Sequence, residues 1–397
     1  MLKMGLSTAE RKLYEAALCR SHTRRTRVEV LTLNGGVLDE VSALLVDGQV
    51  TVDGDAEITR ALSLTFLDPN HSLNFDTDSP DSGALYADRM LRVSYGVHVE
   101  ELGRYVYAPV FTGPVTGLSR DGATVTVEAQ GKEKLAKGAI WTPINLRKGM
   151  DVTAAIRVLM SSRAGETRFS IPDFRNSNGK RPTLPAARAL DRYADAWTTT
   201  VKLAKSISKQ LFYNGDGVLV MRNLPDAVSW VFRPGDGGSI VGNLSVSYNL
   251  DDLVNTVAVK GQPPKGSKGV VSASVFAPAD HPLSPKRLGR TGAPRHLVEY
   301  IEDQSIRSHK DAKALAEKTL ANKLRETVDV SFDSLPIPHL DIGDMVRIET
   351  PDFALKFRMK KFTIPLAPNG DPVMSVGYLK RLTPNKKAIR LKGSKKR

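Results

Sequence analysis

Residues 308–382 constrain the fold of this chain more than any other stretch of its sequence. A helix pattern over residues 309–325 precedes the segment 328–332, in which apolar and polar side chains alternate. Gly343-Asp344 then leads into another strand-like run, and two further runs meet at the turn pair Asn369-Gly370. This order predicts a helix packed against an antiparallel sheet.

The composition is that of an ordinary folded protein. The chain has 397 residues, of which 41% are hydrophobic and 25% charged, and it can hold roughly two to four domains. No window approaches the run of about 18 apolar residues that spans a bilayer, and the N-terminus has no signal-peptide pattern. We therefore predict no stable membrane insertion. The single cysteine, Cys19, excludes an internal disulfide and any site that needs several thiolates.

The net charge of +14 is concentrated at the two ends of the chain. Residues 1–27 hold seven Lys/Arg and two Glu, while residues 385–397 hold seven Lys/Arg and no acidic residue. These ends therefore carry +5 and +7, which leaves +2 for residues 28–384. Basic ends are commonly solvated or docked on an acidic partner. Direct contact with nucleic acid is the alternative, and it requires basic residues on the folded body.

Strand patterns dominate the first half of the chain. Six candidate strands, separated by turn residues such as Asn34-Gly35-Gly36 and Gly113-Pro114, cover residues 28–33, 41–52, 58–66, 91–99, 105–111 and 123–129. Short strands at this spacing are typical of a barrel or a sandwich. The stretch 145–222 is mixed. It predicts a helix capped by Asp151, an exposed loop at 174–184, a helix at 196–209 and a hairpin around 214–217.

Strands return after residue 226, at 228–232, 241–248, 254–260, 345–350, 356–364 and 372–382. A Pro- and Gly-rich stretch at 261–296 is read as a long loop or an insertion with a weak strand at 270–276. Ser308, with Asp311 three residues later, begins the predicted helix, and Ala312, Ala316, Leu320 and Leu324 give that helix one apolar face. We divide the chain into a basic N-terminal extension (1–27), a first β-module (28–145), a small α/β module (146–225), a second β-module with its helix (226–384) and a basic tail (385–397).

Motifs for catalysis, nucleotide binding and metal binding are missing from the sequence. It has no phosphate-binding loop, no dinucleotide fingerprint, no H-E-x-x-H and no nucleophile elbow. His98 lies beside Glu100-Glu101, and Asp251-Asp252 forms a carboxylate pair, but neither spacing defines a site. Ser7 and Glu10 form a capping box that predicts the start of an N-terminal helix, and Cys19 is read as a small apolar residue of that helix. We predict no catalytic, cofactor-binding or metal-binding residue.

Several short segments, taken in order, resemble the baseplate hub and tail-tip minor tail proteins of phages. They lie at residues 92–96, 109–117, 197–221, 251–261, 312–324 and 340–348. The fold implied by the resemblance is α+β and mainly β. In it, two tube-like antiparallel β-barrel modules flank the small α/β module, and the helix at 309–325 packs on the second barrel. The resemblance covers roughly residues 28–382.

The resemblance implies a non-enzymatic structural hub at the virion tail tip, made in the host cytoplasm. Such hubs are homotrimers whose six barrels continue the hexameric tail tube. Their partners are the tail tube or distal tail ring, the tape measure protein and other tail-tip or receptor-binding proteins. Transient contact with passing DNA is compatible with this role. Three alternatives stay open: a distal tail adaptor, a tail-associated cell-wall hydrolase and a nucleic-acid-binding protein.

Overall fold

The structure is a computed structural model. It describes residues 4–20, 22–73, 85–138, 142–176, 179–242, 244–247, 253–263, 269–303, 306–324, 329–351, 354–369, 373–377 and 380–381. The chain forms two compact units. Unit 1 comprises Met1–Asn243, Phe332–Thr350 and Met359–Gly377, and unit 2 comprises Leu244–Ser331, Pro351–Arg358 and Tyr378–Arg397.

The described residues hold six α-helices and 23 strands. The helices are α1 (Thr8–Leu18), α2 (Glu133–Ala136), α3 (Val152–Ala164), α4 (Ala196–Ser206), α5 (Pro285–Leu288) and α6 (His309–Lys323). The strands are β1 (Arg24–Thr32), β2 (Val37–Glu40), β3 (Leu45–Asp53), β4 (Arg60–Leu67), β5 (Arg89–Val99), β6 (Arg104–Asp121), β7 (Thr124–Gln130), β8 (Ile144–Leu146), β9 (Phe169–Ser170), β10 (Arg188–Leu190), β11 (Gln210–Tyr213), β12 (Leu219–Arg222), β13 (Val228–Phe232), β14 (Ser245–Ser247), β15 (Thr256–Gly261), β16 (Ser272–Phe276), β17 (Val298–Asp303), β18 (Asp329–Ser334), β19 (Met345–Glu349), β20 (Ala354–Arg358), β21 (Lys361–Pro365), β22 (Met374–Gly377) and β23 (Lys380–Arg381). The predicted α+β, mainly β fold is confirmed.

Unit 1 is built on one antiparallel sheet. Its strand order is β22-β21-β3-β4-β7-β6-β5-β1-β2, and residues 332–334 of β18 pair with the other side of β22. Along β4, Leu62, Leu64 and Phe66 are buried, and each such apolar side chain stabilises the fold by about 1.5–3 kcal/mol. β3 lies in the predicted first β-module and β21 in the predicted second one, and these two strands pair with each other. Strands of both predicted modules therefore belong to the same sheet. The division into two separate tube-like modules stays a prediction.

Gly113-Pro114 lies inside a strand, so the turn predicted there is wrong. β6 runs without interruption and pairs first with β5 and then with β7. A Cβ atom added to Gly113 would lie 1.9 Å from the carbonyl oxygen of Gln130. Glycine is therefore required here by the close approach of two backbones, where the sequence pattern had indicated a chain reversal.

Other boundaries also differ from the predictions. The strand predicted at 41–52 begins only at Leu45, because a short 3-10 helix occupies Ser42–Leu44. The strand predicted at 356–364 is two strands that are interrupted around Met359. The Met359 N–H donates to the carbonyl of Asp344, and the Met359 carbonyl accepts from Gly343 N–H. The edge strand β2 and the short helix α5 had no predicted counterpart.

Helix starts follow the predicted capping residues. The Ser7 hydroxyl accepts from the Glu10 N–H, and the Glu10 carboxylate accepts from the Ser7 N–H, as a capping box requires. Asp151 accepts from the N–H groups of Thr153 and Ala154 at the start of α3. Ser308 accepts from the Asp311 N–H at 3.1 Å and begins α6. These three predicted starts are confirmed.

The small α/β part of unit 1 packs α3 and α4 against the β11–β12 hairpin, which is antiparallel as predicted. Its core includes Ile156, Leu159 and Trp197. The loop predicted at 174–184 is exposed in its described middle part. Its ends, however, are buried through Phe174 and Leu184, which join this core. The loop is thus anchored by apolar side chains that its polar composition did not indicate.

Unit 2 contains a three-stranded sheet in the order β16-β15-β17, with β17 parallel to β15. Helix α6 covers one face, where Ala312, Ala316 and Leu320 pack with Val257 and Val259. The predicted apolar row of this helix is confirmed. Strand β14 pairs with residues 329–331 of β18, and β20 pairs with β23. The Asp251-Asp252 pair and Gly370 lie outside the described residues.

Asn255 joins three segments of unit 2 and is fully buried. Its side-chain N–H donates to the carbonyl of Arg295 at 2.9 Å, and its side-chain oxygen accepts from the Leu297 N–H at 2.8 Å. Its own carbonyl accepts from the Ala277 N–H at 2.8 Å. The side-chain amide therefore holds the segment before β17 beside β15, and the main-chain carbonyl holds the residue that follows β16.

Asn255→Ala is expected to lower the free energy of unfolding of unit 2 by about 1–3 kcal/mol, because the Leu297 N–H and the Arg295 carbonyl lose a buried partner. Hydrogen exchange at the Leu297 amide, together with urea unfolding, measures the effect. Ser274→Ala, at an exposed position of the same sheet, is the control and should leave the urea midpoint unchanged. Equal exchange rates in both variants would contradict this role of Asn255.

Candidate functional site: a buried charge network in unit 1

The Gly343-Asp344 turn carries a buried carboxylate. Gly343 adopts φ +78°, the left-handed region that favours glycine, and its missing Cβ leaves room for the side chain of Gln210. Asp344 is fully buried, accepts from the Asp341 N–H at 3.0 Å and pairs with Arg222 at 3.0 Å. Arg222 also donates to the carbonyl of Ile342 at 2.7 Å. The turn is thereby attached to strand β12.

Arg60 stands at the centre of the network and is only 3% exposed. Its guanidinium donates to Asp341 at 2.6 Å, to the carbonyl of Val110 at 3.0 Å and to the carbonyl of Tyr213 at 3.3 Å. These partners come from the turn before β19, from β6 and from β11. Burial raises the pKa of Asp341, and the charge of Arg60 opposes that shift. The rigid fork of arginine suits this triple connection.

A second buried ion pair attaches the β11–β12 hairpin to the sheet. Lys132 pairs with Glu166 and donates to the carbonyl of Gly217 at 3.2 Å. Glu166 in turn accepts from the N–H groups that follow it, at 2.7–2.9 Å. The Thr112 hydroxyl of β6 donates to the carbonyl of Gly215 at 2.9 Å. Helices and sheet of unit 1 are therefore joined by ionic and polar contacts as well as by apolar packing.

A groove of about 360 Å³ lies between residues 54–59 and helix α4. Trp197 lines it, stacks on Tyr213 with ring centroids 5.9 Å apart and donates its indole N–H to the carbonyl of Glu57. Lys202 and Lys205 are exposed on the helix side. The groove is open and mixed in polarity.

His339 is fully buried beside two aromatic rings, Tyr14 at 5.8 Å and Trp230 at 5.5 Å. Among the described residues, neither of its ring nitrogens has a hydrogen-bond partner. Burial lowers the pKa of His339 from 6.5 to about 3, and it raises the pKa of the Tyr14 hydroxyl. The histidine is thus neutral in the folded protein across the physiological range.

Acid is expected to destabilise unit 1 through His339. The folded-state pKa lies below that of the unfolded chain, so the stabilising contribution is complete above about pH 6.5 and is lost as the pH falls from 6.5 towards 3. The slope approaches about 1.4 kcal/mol per pH unit. His339→Leu should flatten the dependence between pH 6.5 and 4.5, as measured by urea unfolding at each pH. An unchanged slope in this variant would contradict the assignment.

Of the residues singled out in the sequence, those that the structure describes do not come together as a site. His98 packs edge-on against Tyr105, while Glu101 pairs with Arg20 at 3.5 Å. Cys19 ends α1 half-buried, and burial raises the pKa of its thiol. Within the described ranges, no group of three or more His, Cys, Asp or Glu could hold a metal ion. Over the same ranges, no helix is long and apolar enough to cross a membrane.

Sequence reasoning missed most of the charge network. Arg60 and Asp341 are 281 positions apart, and no local pattern marks them as partners. The one available signal was Gly343-Asp344, whose turn pattern indicated a strand entry. It did not reveal that the aspartate is buried.

No protein-family model and no curated protein matches the sequence. Several solved structures match the fold. A 43 kDa tail protein of prophage MuSo2 from Shewanella oneidensis superimposes with a TM-score of 0.59 at 12% identity, over 91% of this chain and 99% of that one. A tail protein from Neisseria meningitidis MC58 also gives 0.59 at 12% identity, over 90% and 97%. Prophage tail protein gp18 from Listeria monocytogenes EGD-e gives 0.53 at 10% identity, over 91% and 96%.

The chain has a phage tail protein fold. At 10–12% identity, these matches show an arrangement of elements and leave side-chain roles to be argued from this chain. The resemblance to phage tail proteins found in the sequence motifs is confirmed at this level. Within the phage tail protein fold, the buried charge network of unit 1 links residues that lie far apart in the sequence.

Proposed function

We propose that this chain is a structural, non-enzymatic component of a phage tail tip. In this role three copies form a hub ring that continues the hexameric tail tube. The observation that carries the proposal is the match of about nine-tenths of the chain to phage tail proteins that are themselves covered almost completely. A likeness over the whole chain favours a shared architectural role over one borrowed domain.

The side chains of unit 1 support a structural role. Asp341 and Asp344 are buried carboxylates of the charge network, and each pairs with an arginine. Both also accept hydrogen bonds from backbone N–H groups. Carboxylates used in this way hold segments in place. A cell-wall hydrolase would instead need a pair of carboxylates facing a cleft that admits a sugar chain.

The proposed surroundings follow from the ring. The tail tube or distal tail ring would lie on one side, and other tail-tip or receptor-binding proteins on the other. The end of the tape measure protein would occupy the channel, through which DNA later passes. The five-part division of the chain, with tube-like modules at 28–145 and 226–384, belongs to this proposal.

Light scattering after gel filtration and electron microscopy of the purified chain test the proposal. We expect a mass of three chains and a ring with a central channel. In virions, labelled antibodies should mark the tail tip. A monomer at micromolar concentration, or a label along the whole tail, would contradict the hub. A hexameric ring would instead favour a distal tail adaptor.

A further inference from the structure

We propose that copies of this chain join head to tail through two complementary surfaces. One is the acidic edge of unit 1, formed by Leu33, Val37, Leu38, Asp39 and Glu40. The other lies on unit 2 and consists of an aromatic face (Phe276, Val298 and Tyr300) bordered by a cationic loop (residues 280–295). This inference rests on the proposed ring and names the surfaces that would build it.

The aromatic face is the side of the β16-β15-β17 sheet opposite helix α6. Side chains alternate along each strand, and those facing α6 are buried. On the other side, Phe276 is 53%, Val298 55% and Tyr300 59% exposed. Phe276 and Val298 both lie opposite Thr256 of the central strand, and Tyr300 lies opposite Ala258, two residues further along that strand. Phe276, Val298 and Tyr300 therefore occupy two neighbouring rows of the same face. Three large apolar side chains exposed together mark an interaction surface.

The cationic loop carries Lys286, Arg287, Arg290 and Arg295 against one acidic residue, Asp280. All four cations are exposed. The loop is nevertheless well organised. Arg290 and Ala293 exchange backbone hydrogen bonds of 3.1 and 2.9 Å, and the Arg295 N–H donates to the carbonyl of Pro285 at 2.9 Å. The loop backbone is therefore held in place before any partner arrives, which lowers the entropic cost of binding.

The loop and the face are physically continuous. His296, directly after the loop, packs edge-on against Phe276 with ring centroids 5.3 Å apart. Its ring nitrogen lies 2.9 Å from the hydroxyl of Thr256. Asn255 holds the carbonyl of Arg295 beside the same strand. The result is an apolar, aromatic centre with arginines at its border, and both residue classes are enriched in protein interfaces.

The acidic edge has the opposite character. Strand β2 ends the sheet of unit 1, and all four of its residues are exposed. Val37 and Leu38 are 54% and 53% exposed, and Leu33 is 46% exposed on the same hairpin. Asp39 and Glu40 follow directly. The irregular register between β1 and β2 makes β2 a poor template for another strand, so we infer contact through side chains.

The two surfaces match in both polarity and charge. Each has about three exposed apolar side chains, and the carboxylates of one would meet the guanidinium and ammonium groups of the other. Because the surfaces are different, the contact is heterologous: each copy offers its edge to the next copy and its face to the previous one. Such contacts form a ring when the rotation from one copy to the next closes, as the proposed trimer requires.

Charge reversal on each surface tests the inference. Lys286→Glu with Arg290→Glu, and separately Asp39→Lys with Glu40→Lys, should each raise the trimer dissociation constant at least about ten-fold, measured by sedimentation or mass photometry. All four changes in one chain should restore much of the association, because the reversed groups on the two surfaces again carry opposite charges. Lys202→Glu with Lys205→Glu on α4 has the same charge change as the first pair and should leave the trimer intact.

A cysteine pair provides a second readout. In a Cys19→Ser background, a chain with Leu38→Cys and a chain with Tyr300→Cys should form a disulfide when mixed, while neither does so alone. A monomeric wild-type chain would overturn the proposed ring and this inference together. If the wild-type chain is a trimer and the charge-reversed variants have the same trimer dissociation constant as the wild type, this inference is wrong but the proposed ring is not. The same holds if the variant with all four changes does not regain association. If the charge-reversed variants still form trimers but are no longer incorporated into virions, the surface binds another tail protein, and this inference is also wrong.

Discussion

Arg60→Leu is expected to destabilise unit 1 by about 3–5 kcal/mol, since it removes one member of a buried ion pair and leaves Asp341 without its guanidinium partner. The carbonyls of Val110 and Tyr213 would lose a donor as well. Urea unfolding followed by circular dichroism measures the change. The effect is large because water cannot replace the lost partners at a site only 3% exposed.

Two controls separate the buried pair from a general effect of removing arginine. Arg175→Leu breaks an ion pair with Asp173 on the surface, and the urea midpoint should stay the same. The double variant Arg60→Leu with Asp341→Leu should cost less than the sum of the two single changes, because no uncompensated charge is left behind. Strict additivity of the two changes would show that Arg60 and Asp341 act independently.

Gly113→Ala is expected to cost at least about 3 kcal/mol or to prevent folding of unit 1. The added Cβ would lie 1.9 Å from the carbonyl oxygen of Gln130 and 2.8 Å from its carbonyl carbon. Both atoms belong to the backbone, so the clash can be relieved only by separating β6 from the end of β7. Thermal melting and the yield of soluble protein report the result.

Gly117→Ala is the matched control on the same strand. Its added Cβ would first meet the Cβ of Glu128 at 3.3 Å, a side-chain contact that needs a shift of only a few tenths of an ångström. We expect a change of less than about 1 kcal/mol. If both variants lose a similar amount of stability, the loss in Gly113→Ala is a general effect of replacing glycine in β6, and the contact with Gln130 is not its cause.

Local patterns were sufficient for most elements. Capping residues placed the starts of α1, α3 and α6, and apolar spacing placed the face of α6 that packs on the sheet. These predictions were correct because a helix cap or a helix face involves residues only a few positions apart. The resemblance to phage tail proteins, drawn from the order of short motifs, was also correct for the fold.

Failures occurred wherever a residue's role depends on a distant partner. Gly113-Pro114 is a residue pair typical of turns. Only the close approach of the Gln130 backbone in the folded chain explains why glycine occurs there within a continuous strand. Phe174 and Leu184 lie in a polar segment, yet both join a core built from helices α3 and α4. The exposed edge strand β2 has too few residues for a clear alternating pattern.

The sequence by itself determined the class of fold, the capped helices, the near-neutral body and the concentration of charge at the two ends. The tertiary structure decided how the strands join into one sheet in unit 1, and that Arg60 reaches Asp341 across 281 positions. It also showed that the aromatic face of unit 2 is uncovered. The physical reason is one of range: local hydrogen bonds and periodicity are encoded in neighbouring residues, whereas burial and ion pairing depend on which distant segments the folded chain brings together.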